Sequence, residues 1–179
     1  GSIGAGADEA VIESYSTADG DPVTLTEGTG NGACSVKSTS GSGNQRCGFR
    51  IFDGHELIGI KIESISTWNY NAGTSGNTFM DWHRPTDQNS PNPATDTLID
   101  TSSTVANSSL PSSSCPAQAN AQFDFTSTDT VQAGDYFLQR TTIDQVKQCM
   151  QNTTNADNIV FAEWKDEDPN QYGEISNYD

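Results

Sequence analysis

The chain has 179 residues, 24 acidic against 8 basic, a formal net charge of −16 and a hydrophobic share of only 32%. That balance excludes nucleic-acid binding and attraction to anionic membranes, since both need cationic groups to replace counterions. No run of about 18 apolar residues is present to span a bilayer, and the length suits one domain over 1–179.

In chain order, Gly1-Ser2 reads as a cloning remnant, and an anchoring segment could have preceded Ile3. A helix is expected within 3–20. Ala7, Val11, Tyr15 and Ala18 fall on one helical stripe, Asp8 and Glu9 favour its N-terminus, and Gly20 with Pro22 ends it. Strand-like runs follow at Val23 to Thr26, Cys47 to Phe52, Leu57 to Trp68 and Thr78 to Trp82. In the strongest run Ile58, Ile60 and Ile62 alternate while Ile65 falls out of register, which predicts a bulge near Ser64.

The stretch 86–121 is rich in Ser, Thr, Asn and Pro and reads as a long polar surface loop, with strand character only at Thr97 to Ile99. Phe123 and Phe125 alternate in the next run, Tyr136 to Leu138 is another strand, and Asn158 to Trp164 a last one. Thr142 with Gln145 matches a capping box, and Ile143, Val146 and Met150 keep helical spacing, so a short helix is expected over 143–150. The fold class expected is therefore α+β, mainly antiparallel β, with an N-terminal helix packed on a sheet or sandwich.

The four cysteines, Cys34, Cys47, Cys115 and Cys149, form no C-x-x-C pair and lie far from both histidines, which disfavours zinc. Three pairings are open. Cys34–Cys47 and Cys115–Cys149 are favoured, because the first pair flanks a Gly/Ser-rich turn. Two bridges place the protein outside the cytoplasm, extracellular or on a cell surface.

Candidate chemistry is thin. His55 and His83 each have carboxylates nearby, without metal-ligand spacing. A glycosidase needs two carboxylates across a cleft, and Glu56, Glu63, Asp81 and Glu163 are the strand-borne candidates. Glu163 beside Trp164, with Glu63 or Asp81, is the pair to weigh. Asp166, Asp168 and Asn170 alternate oxygen ligands like the start of a calcium loop, but Gln171 stands where an EF-hand needs glycine. Asp19-Gly20-Asp21 is a second acidic candidate for calcium. Trp68, Tyr70 and Trp82 are candidates for stacking on sugar rings.

Glu13-Ser14-Tyr15, followed by Gly20 and Pro22, resembles the end of the N-terminal helix in type IV pilins and pseudopilins. That resemblance implies a filament subunit: a hydrophobic N-terminal helix, then an antiparallel sheet, with a disulfide closing a C-terminal surface loop, a part Cys115–Cys149 would play. The functional expectation is a non-catalytic extracellular module, pilin-like or adhesive, whose partners are its own copies or other surface-structure subunits. A secreted glycan-binding domain, calcium-assisted or not, and a secreted carbohydrate-active enzyme are the alternatives.

Overall fold

The computed structural model describes residues 10–16, 32–38, 44–71, 75–112, 119–143, 145–150, 159–166 and 176–178. The strands are β1 (Ala10–Ser16), β2 (Gly32–Lys37), β3 (Asn44–Ile51), β4 (Lys61–Asn71), β5 (Asn77–Arg84), β6 (Thr97–Thr101), β7 (Val105–Ala106), β8 (Ala119–Asp124), β9 (Tyr136–Thr141), β10 (Gln145–Met150), β11 (Ile159–Asp166) and β12 (Ser176–Tyr178). One 3-10 turn covers Asn107–Ser109.

These strands bond into a single antiparallel sheet with the order β1-β4-β10-β2-β3-β9-β5-β6. Three of them have three partners each. Along β4, β8 pairs over 64–69, β1 over 61–67 and β10 over 69–71, so β1 and β10 share one edge in series. Along β3, β11 takes one whole edge while β9 and β2 divide the other. Along β5, β9 takes one edge, and β6 and β7 divide the other. Edges shared in this way curl the sheet into a half-barrel with a distinct inner and outer face.

Alternation assigns the faces. Cys47, Phe49 and Ile51 of β3, Met80 and Trp82 of β5, and Phe137 of β9 enter one core cluster with Val36, Ile62, Ile65, Phe123, Phe125 and Val146. Its centre is an aromatic column. Phe49 stacks on Phe137 at 5.2 Å, Phe137 on Trp82 at 5.4 Å, and Phe125 meets Trp82 edge-on at 6.4 Å. Beside the column the inner face is polar but uncharged. Gln139 accepts from Thr67 Oγ1 (3.0 Å) and Gln148 Nε2 (2.8 Å), and donates to Asn69 Oδ1 (3.0 Å) and Thr78 Oγ1 (2.9 Å). Both donors and both acceptor sites of that amide are thereby used.

The expected α+β class is corrected: the described residues are nearly all antiparallel β. The helix expected over 3–20 is not formed where the chain is described. Residues 10–16, including Glu13, Ser14 and Tyr15, are strand β1, paired with β4. Val11 and Ile12 are β-branched, residue types that favour strands, and β1 finds its backbone partners along the long β4. The helix over 143–150 is likewise replaced by β10, which forms six pairs with β2 and three with β4. Val146 and Gln148 face inward there, a strand period that the same few residues also satisfy.

The polar stretch 86–121 is not one long loop, because it contains β6, β7 and the start of β8. Leu57 to Ile60, expected in a strand, belongs to a turn in which Ile58 N–H donates to His55 O and Ile60 N–H to Leu57 O. The bulge lies at Ser64: the register of β1 on β4 shifts on both sides of the Ser14–Ser64 pair.

The Cys34–Cys47 disulfide is present, joining β2 to β3. Closing a loop of 13 residues stabilises by about 3 kcal/mol on the chain-entropy account. Cys149 is buried on β10, while Cys115, its expected partner, lies outside the described residues, as do Gly20, Pro22 and Val23 to Thr26. No helix among the described residues is long and apolar enough to cross a membrane.

Candidate functional site

The sequence-predicted site residues that are described lie scattered over the curled sheet and its turns. Trp82 is fully buried on the inner face, and its Nε1–H donates to Asp135 Oδ2 at 2.9 Å, so it is core and not a sugar platform. Thr67 and Asn69 point into the inner network, so Trp68 and Tyr70 point outward from the same strand. Both are half-buried. Across the ladder Tyr70 is paired with Lys147, and Lys147 with Ser35, whose hydroxyl accepts from Lys147 Nζ. Trp68, Tyr70, Lys147 and Ser35 thus form one flat strip. The buried Trp68 Nε1–H has no hydrogen-bond partner.

The proposed catalytic carboxylates are dispersed. Glu163 is paired with Cys47 across β11 and β3, accepts from Gln45 Nε2 at 2.8 Å and lies 3.4 Å from Cys34 Sγ. Glu63 is exposed at the bulge, and Glu56 is exposed in the turn after β3. Asp81 is on the outer face, accepting from Thr101 Oγ1 at 2.7 Å and paired with Arg140 Nε at 2.6 Å. The histidines are separate too. His55 Nδ1 accepts from Leu57 N–H at 3.1 Å in that turn, while His83 stacks on Tyr136 at 5.1 Å.

For calcium, Asp166 closes β11, and Asp168, Asn170, Asp19 and Asp21 lie outside the described residues. Among the described residues no three His, Cys, Asp or Glu side chains are grouped to hold a metal ion.

The arrangement that sequence reasoning missed is the outer face of β11-β3-β9-β5. Arg46 and Arg50 alternate with the inward Cys47, Phe49 and Ile51, so they share this face, and Gly48 lies between them. A Cβ on Gly48 would stand 1.7 Å from the Phe137 carbonyl oxygen, so β3 approaches β9 as only glycine allows. The register adds Trp164 opposite Arg46, Tyr136 opposite Arg50, His83 opposite Tyr136, and Phe79 opposite Arg140. Three guanidinium groups each cover an aromatic ring: Arg46 over Trp164 at 4.8 Å, Arg50 over Phe52 at 5.0 Å and Arg140 over Phe79 at 4.3 Å.

The 85–96 connection is strapped onto this face. Tyr136 O–H donates to Asp96 Oδ2 at 2.6 Å, and Arg50 Nη2 donates to the carbonyl and the side-chain oxygen of Gln88, both at 2.9 Å. Burial, and then the Asp96 hydrogen bond, raises the Tyr136 phenol well above its ordinary value. Burial pushes His83 down to about 4 against the pull of Asp81, so its imidazole is neutral at pH 7. Both of its ring nitrogens are buried without a hydrogen-bond partner. The sequence signal that could have exposed this face was the i, i+4 spacing of Arg46 and Arg50 inside an alternating run.

No protein-family model, curated protein or solved structure matches this chain.

Proposed function

We propose that the protein is a non-catalytic extracellular binding module, of the kind that serves in adhesion, and that the Trp68–Tyr70 strip is its glycan-facing surface. The observation that carries the reading is two half-buried aromatic rings, two residues apart on one outward strand face, with Lys147 and Ser35 across the ladder. Aromatic rings offer a flat apolar surface to a sugar, while an ammonium and a hydroxyl offer polar partners to its rim. The Cys34–Cys47 bridge supports an oxidising compartment. The dispersal of Glu63, Asp81 and Glu163 supports binding over turnover, since glycoside hydrolysis needs two carboxyl groups across one cleft. The strand structure of residues 10–16 removes the helix that motivated a filament role, so adhesion is favoured over filament assembly.

The test is a broad glycan array followed by fluorescence titration of the best binder. Trp68→Ala and Tyr70→Ala should each weaken binding about tenfold or more, as loss of a central aromatic anchor does. Silence across the array, or unchanged affinity in both variants, would contradict the proposal.

A further inference from the structure

Acceptors and donors are unequally used on the outer face of β11-β3-β9-β5. Among its described side chains, the carboxylates of Asp81 and Asp96 are both occupied. Asp81 is held by Thr101 and Arg140. Asp96 accepts from Thr86 N–H at 3.0 Å, Asn92 N–H at 2.8 Å and the Tyr136 hydroxyl. Donors are left over. Trp164 is 5% exposed, and its Nε1–H, which can only donate, has no partner. His83 is 4% exposed with neither ring nitrogen bonded, and one of the two must carry a hydrogen.

These groups form one patch: His83 stacks on Tyr136, Tyr136 packs with Leu138 and Trp164, and Arg46 lies over the Trp164 ring. Arg46 and Arg140 are half-buried, which leaves the patch open to water on their side. The chain has four arginines, at 46, 50, 84 and 140, and three of them are on this one face of a molecule with net charge −16. A local cationic, donor-rich surface inside an acidic molecule matches a ligand that supplies only acceptors.

We infer that this face is an oxyanion-binding site, taking a sulfate, phosphate or carboxylate group at the end where the register gathers Arg46, Arg140 and the Trp164 indole N–H. It is distinct from the Trp68–Tyr70 strip, which lies on β4. An orphaned buried donor is costly, and an anionic acceptor is the partner that recovers that cost best.

Titration of the intact chain with sodium sulfate, sodium phosphate and sodium acetate, read by tryptophan fluorescence and by Tm, tests the site. Sodium chloride at matched ionic strength is the control. The expected result is a saturable fluorescence change and a Tm increase of several degrees with at least one oxyanion and not with chloride. The tetrahedral and planar arms identify which group fits. Arg46→Gln should weaken the effect about tenfold. Trp164→Phe, which keeps the ring packing and deletes the N–H, should weaken it several-fold and serves alone if Arg46→Gln does not fold. An equal response to chloride, or full affinity in Trp164→Phe, would overturn the site.

Discussion

The two faces of the curled sheet solve the problem of polar groups in opposite ways. Around Gln139 on the inner face the polar side chains are neutral amides and hydroxyls, and the Gln139 amide spends every donor and acceptor on Thr67, Asn69, Thr78 and Gln148. On the outer face of β11-β3-β9-β5 charged and titratable side chains gather, and donors on His83 and Trp164 stay unpaired. The three tryptophans make the contrast within one residue type. Trp82, inside, bonds Asp135, whereas Trp68 and Trp164, outside, bond nothing through their N–H groups. A satisfied neutral network specifies a fold, while unsatisfied donors beside cations destabilise the fold and suit a ligand.

The largest expected effect breaks the inner side. Asp135 is fully buried, accepts from Trp82 Nε1, and forms two hydrogen bonds of 3.0 Å with Arg84, which also pairs with Asp129 at 3.2 Å. The Asp135 hydrogen bond is the main reason the Arg84 guanidinium holds its proton more tightly than usual. Asp135→Ala strands an indole N–H and a largely buried guanidinium. A loss of about 4 kcal/mol in urea unfolding is expected, with binding at both outer sites retained in whatever fraction folds.

A smaller effect sharpens the outer side. An unfolded histidine gains its proton near pH 6.5, while His83 in the fold holds out to about 4. The unfolded chain therefore binds more protons in that window. The contribution is fully present above pH 6.5 and falls by roughly 3 kcal/mol as the pH drops to 4. The groups facing His83 are Asp81, Asp96, Arg46 and Arg140, of which the two acids oppose this trend and the two arginines reinforce it. Subtracting the pH profile of His83→Phe from that of the wild type isolates the slope, and identical profiles would contradict the buried neutral ring.

Alternation made β3, β5, β8, β9 and the core of β4 legible, because Phe49 with Ile51, or Phe123 with Phe125, leave no reading but a half-buried strand. The offset of Ile65 pointed to an irregularity near Ser64, where the β1–β4 register shifts. The segments β1 and β10 were misread because three or four apolar residues can satisfy either period, and the pairing partners that decide between them are distant in sequence. The strands β6 and β7 carry almost no apolar pattern, since their neighbours and not their own side chains hold them in the sheet. Of the sugar candidates, two kept an outward face and one went to the core, a distinction that depends on strand register. The outer arginine face needs four strands to assemble, so no single segment announced it.

Urea unfolding of Gln139→Leu and His83→Phe, measured side by side at pH 7, tests the contrast most directly. Gln139→Leu keeps the volume but leaves Thr67, Asn69, Thr78 and Gln148 without their hub, and should lose about 3 kcal/mol. His83→Phe keeps a ring against Tyr136 and deletes two unpaired nitrogens, and should gain about 1 kcal/mol. Shifts of opposite sign are the predicted result; equal destabilisation of both variants would contradict the division between a satisfied inner face and an unsatisfied outer one.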